Sequence, residues 1–190
     1  MKKKILITGG AGFIGYNLAK KYLDNNYKVD IVDNFKRGKI DFELNKLLKS
    51  RNIKLIKKDL IKTNVKEFKK NYDKIFHLAA IIGVKYVNKT PYNVLINNIK
   101  LLEKAIQIAQ NQNKISKFIF FSTSEVYAGS LEHHGIKIPT PEKTPLTISS
   151  LELPRATYML SKIYGEMMCN ITKKLPHINI RPHNIYGPRM

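Results

Sequence analysis

Thr8-Gly9-Gly10-Ala11-Gly12-Phe13-Ile14-Gly15 is the stretch on which the fold turns. It follows a short apolar run, residues 4–8, and opens an amphipathic stretch, residues 13–25. Its glycines fit two registers, Gly10-x-Gly12-x-x-Gly15 and Gly9-x-x-Gly12-x-x-Gly15. Small residues there permit a tight turn, close backbone approach to a pyrophosphate, and tight packing of helix on strand. The N-terminus of the helix adds free N–H groups and the positive end of its dipole. A second apolar run, residues 28–33, ends on Asp33, 18 residues past Gly15. An acid about 20 residues beyond such a turn suits an adenosine ribose. It repels a 2′-phosphate and so favours NAD over NADP, a preference that Lys36 and Arg37 soften.

The rest of the chain continues the alternation. Strands are expected at residues 4–8, 28–33, 54–58, 74–78, 117–122 and 178–182, all short and apolar nearly throughout, as strands covered on both faces are. Helices are expected at 13–25, 40–49, 65–69, 91–112 and 157–174. In the fourth, Thr90 is placed to cap, Pro91 suits the first turn, and Leu95, Ile99, Leu102, Ile106 and Ala109 form one stripe. Strand and helix in alternation imply a doubly wound α/β domain with a parallel sheet and right-handed crossovers, in strand order 3-2-1-4-5-6. Residues 128–156, with Pro139, Pro141, Pro145 and Pro154, show no periodicity. They read as a long loop bordering a substrate cleft.

Composition narrows the function. A chain of 190 residues with 43% apolar content fits one domain with its own core and is too apolar for disorder. No run reaches the roughly 18 apolar residues of a membrane span. The single cysteine, Cys169, excludes an internal disulfide and a multi-cysteine zinc site, and reads as a small buried residue. Net charge is +20, but only five of the 34 basic residues are arginine and the lysines are scattered. That resembles an AT-rich coding bias more than a nucleic-acid stripe, so no specific nucleic-acid partner is expected. The start, Lys2-Lys3-Lys4-Ile5-Leu6-Ile7, superficially looks like a signal peptide, yet Thr8-Gly9-Gly10 interrupts it; a cytoplasmic location is the better reading. His133-His134 has one adjoining carboxylate, Glu132, and no cysteine nearby, too few ligands for a metal, and is expected at the surface.

Chemistry enters with Tyr158 and Lys162, four residues apart on one helical face. An ammonium beside a phenol favours the phenolate, so the expectation is a Tyr158 pKa below its ordinary value and a tyrosine able to accept a hydroxyl proton. Ser122-Thr123-Ser124 ends the fifth strand, at the sheet edge where ligands bind in such folds.

Taken with Asp59-Leu60, His77-Leu78-Ala79-Ala80, Ser122–Tyr127 and Arg181-Pro-His-Asn-Ile-Tyr-Gly-Pro188, these motifs make the chain similar to the extended short-chain dehydrogenase/reductases. Within them it resembles the NAD-dependent epimerase/dehydratase family acting on nucleotide sugars. The resemblance implies NAD as cofactor. Gly9, Gly12, Phe13, Ile14 and Gly15 would hold its pyrophosphate, and Asp33 and Asn34 its adenosine ribose. Asp59 and Leu60 would border the adenine, while Leu78, Ala79, Ala80, Asn98 and Ser122 would line the cofactor site. Tyr158 would be the base, Lys162 its partner and a ligand of the nicotinamide ribose, and Thr123 the hydroxyl-bearing catalytic residue that also meets the substrate. Ser124 stands where 4,6-dehydratases carry an Asp, which argues against water loss. Glu125 is either catalytic or an orienting group, and Asn184 would face the sugar nucleotide.

The resemblance further implies a UDP-linked sugar oxidised transiently to a 4-keto form, with 4-epimerase-type chemistry first and UDP-glucuronate decarboxylase chemistry close behind. A non-catalytic NAD-binding module is the contrasting reading. Family members commonly form homodimers through helices matching 91–112 and 157–174, and they continue well past the Asn-Ile-Tyr-Gly-Pro motif. Residues 1–190 are therefore expected to hold the NAD-binding domain, with a substrate-binding region only begun at 183–190 and the chain truncated.

Overall fold

Alternation along β1 (Lys4–Thr8) decides how the layers form. In the computed structural model, which describes residues 2–190, Ile5 and Ile7 point to one face of the sheet and Leu6 to the other. All five residues of β1 are buried, as a central strand flanked by helices on both sides requires. Around it run β2 (Lys28–Asp33), β3 (Ile53–Lys57), β4 (Lys74–His77), β5 (Lys117–Phe121) and β6 (His177–Ile180). The six strands are parallel in the order β3-β2-β1-β4-β5-β6, as the sequence implied.

One face packs α1 (Phe13–Asp24) and α2 (Phe42–Leu48) over Ile5, Ile7, Val29, Ile31 and Phe76. The other packs α4 (Pro91–Gln110) and α6 (Ala156–Ile171) over Leu6, Ile75, Phe118 and Phe120. Between β4 and α4 lies α3 (Val84–Lys89), and after β5 comes α5 (Ala128–His134). Gly165 lets α6 sit close: a Cβ there would come within 2.6 Å of the Phe120 ring and 2.9 Å of Leu102. At the strands' N-terminal end, buried Lys4 and Asp30 pair at 2.7 Å, and the Tyr72 hydroxyl donates to the same Asp30 oxygen at 2.6 Å.

Several expectations need correcting. The segment at 65–69 is a short 3-10 turn, Val65–Glu67, and a second precedes it at Leu60–Lys62. Residues 128–156 are not wholly irregular: α5 occupies the start, with Ser130 Oγ donating to Pro145 O at 2.6 Å and accepting from Thr147 N at 3.0 Å. Thr90 gives α4 no side-chain cap; its hydroxyl donates back to Tyr86 O at 3.2 Å, closing α3 instead. Of the expected α4 stripe, Leu102, Ile106 and Ala109 are buried and Leu95 and Ile99 only half-buried, because Val94, Leu101, Ala105 and Ile108 widen the contact arc. The C-terminal ends of β3 to β6 fall one or two residues short of expectation, while β3 and β6 begin one residue earlier; β3 starts at Ile53 because that residue pairs with Val29.

Candidate active site

The turn between β1 and α1 is built by sterics. Gly9 has φ of 71°, and a Cβ on it would come within 2.9 Å of the Ala79 nitrogen. A Cβ on Gly15 would lie 2.4 Å from the Gly9 carbonyl oxygen. Gly12 caps α1 with no side chain, so the first N–H groups of that helix stay free for an anion. Asp33 closes the turn from below: Oδ2 accepts from Ala11 N at 3.0 Å and Oδ1 from Phe35 N at 2.9 Å. Each oxygen keeps a lone pair for a ribose hydroxyl.

Behind the turn, Thr8 Oγ1 accepts from Ala79 N at 3.2 Å and lies 2.8 Å from His77 Nδ1. Burial, with the nearby Lys162 charge, pushes the His77 pKa down to about 3, so the ring is neutral and its Nδ1 shares one hydrogen bond with the Thr8 hydroxyl. This relay fixes the 77–80 segment against the glycine turn.

Tyr158 and Lys162 share the inner face of α6, opposite the end of β5. Lys162 Nζ donates to Phe121 O at 2.7 Å, lies 4.9 Å from the Phe120 ring centre, and is 5.8 Å from that of Tyr158. Thr123 caps the 3-10 turn Ser124–Tyr127, its hydroxyl accepting from Glu125 N at 3.3 Å. The expected lowering of the Tyr158 pKa is not found. Burial and then the Glu125 charge push the phenol up to about 12, against smaller downward pulls from Thr123 and Arg37. The physical reason is burial: the phenol is withdrawn from water beside the Glu125 charge, and Lys162, itself pushed down to about 8, has lost its charge before a phenol near 12 titrates.

Lys162 itself is pushed down to about 8 by burial, partly offset by Glu166 one turn along. The folded state releases the proton near pH 8 while the unfolded chain keeps it to about 10.5, so this group adds stability as pH rises between the two. Below pH 8 the buried ammonium is a burden. Lys162→Met should therefore unfold at higher urea at pH 7, by about 1–2 kcal/mol after the loss of the Phe121 carbonyl's donor. That advantage should shrink as pH climbs past 9 in matched urea titrations; a constant difference would contradict it.

One cleft of about 1220 Å³ runs along the C-terminal ends of the strands. Its lining includes Gly9, Gly12, Phe13, Ile14, Gly15, Asp33, Asn34, Leu60, Leu78, Ala79, Ala80, Ser122, Thr123, Ser124, Glu125, Tyr158, Lys162 and Asn184. Two expected residues do not line it. Asp59 turns inward to accept from Ile61 N at 3.2 Å and faces Lys36 at 3.6 Å. Asn98 is buried as a clamp, its Oδ1 accepting from Ile81 N at 2.7 Å and its Nδ2 donating to Ile81 O at 3.2 Å, so it positions the 78–82 wall.

Ser122 lines the cleft, but its hydroxyl donates to Glu166 Oε1 at 2.6 Å. Glu166 is gripped by Arg181, Nε to Oε1 at 2.9 Å and Nη2 to Oε2 at 2.6 Å. Sequence reasoning noted Ser122 and Arg181 as motif members without seeing that Glu166 joins them, since residues this far apart in the chain give no sign of pairing. It also missed Lys39, Lys58 and Arg189, which line the cleft with Lys36 and Arg37, Lys58 paired with Glu67 and Arg189 with Asp41.

The cradle thus fits a dinucleotide: glycines where any Cβ would collide, a free helix N-terminus, and an acid placed for a ribose. The sequence profile of the NAD dependent epimerase/dehydratase family matches residues 5–190. Among curated relatives, the UDP-N-acetyl-alpha-D-glucosaminuronate decarboxylase of Bacillus cytotoxicus is 36% identical over 194 residues, spanning 100% of this chain and 56% of that protein. A UDP-N-acetylglucosamine 4-epimerase from Methanobrevibacter ruminantium, solved with UDP-N-acetylmuramic acid, superposes with a TM-score of 0.77 at 32% identity, covering 100% of this chain and 57% of that one. The UDP-glucuronic acid 4-epimerase of Bacillus cereus, solved with NAD, gives 0.69 at 29% identity over 98% of this chain and 57% of that one. The chain spans little more than half the length of these relatives. Its glycine turn, its Tyr158–Lys162 pair and a match along nearly all of its length place this chain in the NAD dependent epimerase/dehydratase family.

Proposed function

We propose that the protein is an NAD-dependent nucleotide-sugar enzyme of the 4-epimerase type, acting on a UDP-sugar through a transient 4-keto form. The observation that carries this reading is the gathering of Thr123, Tyr158 and Lys162 at one end of the cleft whose other end is the glycine turn. Gly9, Gly12, Gly15 and Asp33 would hold the cofactor, which when bound supplies the acceptor for the hydrogen leaving the sugar carbon. Thr123 orients the reacting hydroxyl and Tyr158 takes its proton. Lys162 uses one donor on Phe121 O and keeps two for ribose hydroxyls. Further positive charge in the cleft brings the phenol down from about 12, in the direction Arg37 already pulls it.

Ser124, in place of an acid beside Thr123, favours a second reading over dehydration: decarboxylation of a UDP-uronate, consistent with the 36% identical relative. Exposed Tyr92, Met167 and Ile171 on α4 and α6 suit a homodimer, and no helix among the described residues is long and apolar enough to cross a membrane. A cytoplasmic site completes the proposal.

The test is NMR of products from the NAD-loaded chain given UDP-glucose or UDP-glucuronate. A C4 epimer is the expected result; release of CO2 with a pentose product transfers the assignment to the second reading. A folded chain that fails to bind NAD in calorimetry overturns both.

A further inference from the structure

A second cavity, of about 200 Å³, adjoins Tyr158 between α3 and the end of β5. Ile82, Val84, Val87 and the polar Asn88 make one wall; Glu125, Arg155 and Tyr158 make the other. Arg155 stands three residues before Tyr158 at the N-terminus of α6, so both side chains enter the same space. Its Nε lies 3.4 Å from Glu125 Oε2, its one polar side-chain contact among the described residues. Both Nη groups are left free. A guanidinium held by Nε alone presents the end that takes a carboxylate bidentately. The Glu125 contact is long and well exposed, too weak to satisfy the charge by itself. Asn88, on the α3 wall, offers sugar hydroxyls a neutral amide, and Arg155 is the one cationic side chain of the lining among the described residues.

We propose that the sugar presented to Tyr158 carries a carboxylate and that Arg155 selects it, with its Nη groups on that carboxylate and Nε kept on Glu125. The arginine then separates two negative groups that would otherwise repel across the cavity. A neutral hydroxymethyl in the same place pairs with at most part of the guanidinium. The inference rests on the nucleotide-sugar reading of the main cleft. It leaves the fate of the oxidised sugar open, since a uronate can be epimerised or decarboxylated.

Calorimetric titration of the NAD-loaded chain with UDP-glucuronate and UDP-glucose tests it, in the wild type, Arg155→Gln and Arg155→Lys. The wild type should bind the glucuronate roughly tenfold to a hundredfold more tightly, the worth of one charge-assisted pair. Arg155→Gln should bring the ratio near one, Arg155→Lys should keep part of it, and NAD affinity should stay unchanged in both, which reports that they fold. Equal affinities in the wild type, or a preference that survives Arg155→Gln, overturn the inference while leaving the nucleotide-sugar reading intact. An NAD-binding chain that takes up neither UDP-sugar overturns that reading and this inference with it.

Discussion

Tyr158→Phe should bind NAD as the wild type does and turn over UDP-sugar about 10² to 10⁴ times more slowly, the usual contribution of one positioned proton acceptor. The substitution removes one oxygen and keeps the ring that packs beside Thr123 and Glu125, so the fold and the distant glycine turn are untouched. The two measurements are calorimetry for NAD and the near-ultraviolet absorbance of reduced nicotinamide when UDP-sugar is mixed with the loaded protein. Wild-type rates in the variant would move the proton acceptor to Glu125, the carboxylate at that end of the cleft. Because burial and Glu125 hold the phenol near 12, removing the acid should help the base: Glu125→Gln should lower the pH at which the reaction reaches its plateau.

The second large effect lies at the opposite end of the sheet. Asp30→Ala should cost about 3–5 kcal/mol of folding free energy, because it strands a buried ammonium, Lys4, and a buried phenol, Tyr72, at once. The side chains of Lys4 and Asp30 are only 10% and 5% exposed, so water cannot replace the lost carboxylate. The Tyr72 pKa is raised, first by burial and then by Asp30, so the phenol remains the hydrogen-bond donor. Urea denaturation of Asp30→Ala against Asp30→Leu with Lys4→Met separates the two contributions. The double variant should recover much of the loss, since an apolar pair leaves no uncompensated charge. A loss below about 1 kcal/mol in Asp30→Ala would mean that the pair behaves as a surface contact.

How much of this was legible follows from the range of the interactions. The glycine turn, β1 and β2 lie where the sequence put them, because a turn of that composition between a buried strand and an amphipathic helix admits few alternatives. Helix α5 escaped notice because it has seven residues and is held by Ser130 bonding to Pro145 and Thr147, a contact with no periodic signature. Helix α3, six residues after Gly83, escaped for the same reason. At the site, spacing brought Tyr158 and Lys162 to one face but could not say how deeply the phenol is buried, and that burial, with the Glu125 charge, reversed the expected pKa direction. Asn98, expected at the cofactor, bonds to both polar groups of the Ile81 backbone, a contact between α4 and the segment after β4 that no sequence pattern announces. The Lys4–Asp30–Tyr72 cluster joins residues 26 and 42 positions apart and is visible only once the sheet is assembled.

The order β3-β2-β1-β4-β5-β6 divides labour along the chain. The residues proposed to hold the dinucleotide, Gly9, Gly12, Gly15 and Asp33, precede residue 81, and those proposed to act at the reacting carbon, Thr123 and Tyr158, follow residue 120. Inherited change can therefore rewrite residues 123–125 and 155, and with them the product, while the cofactor half stays as it is. A lineage built on this plan can diversify its chemistry by small steps, each beginning from a protein that already holds its oxidant.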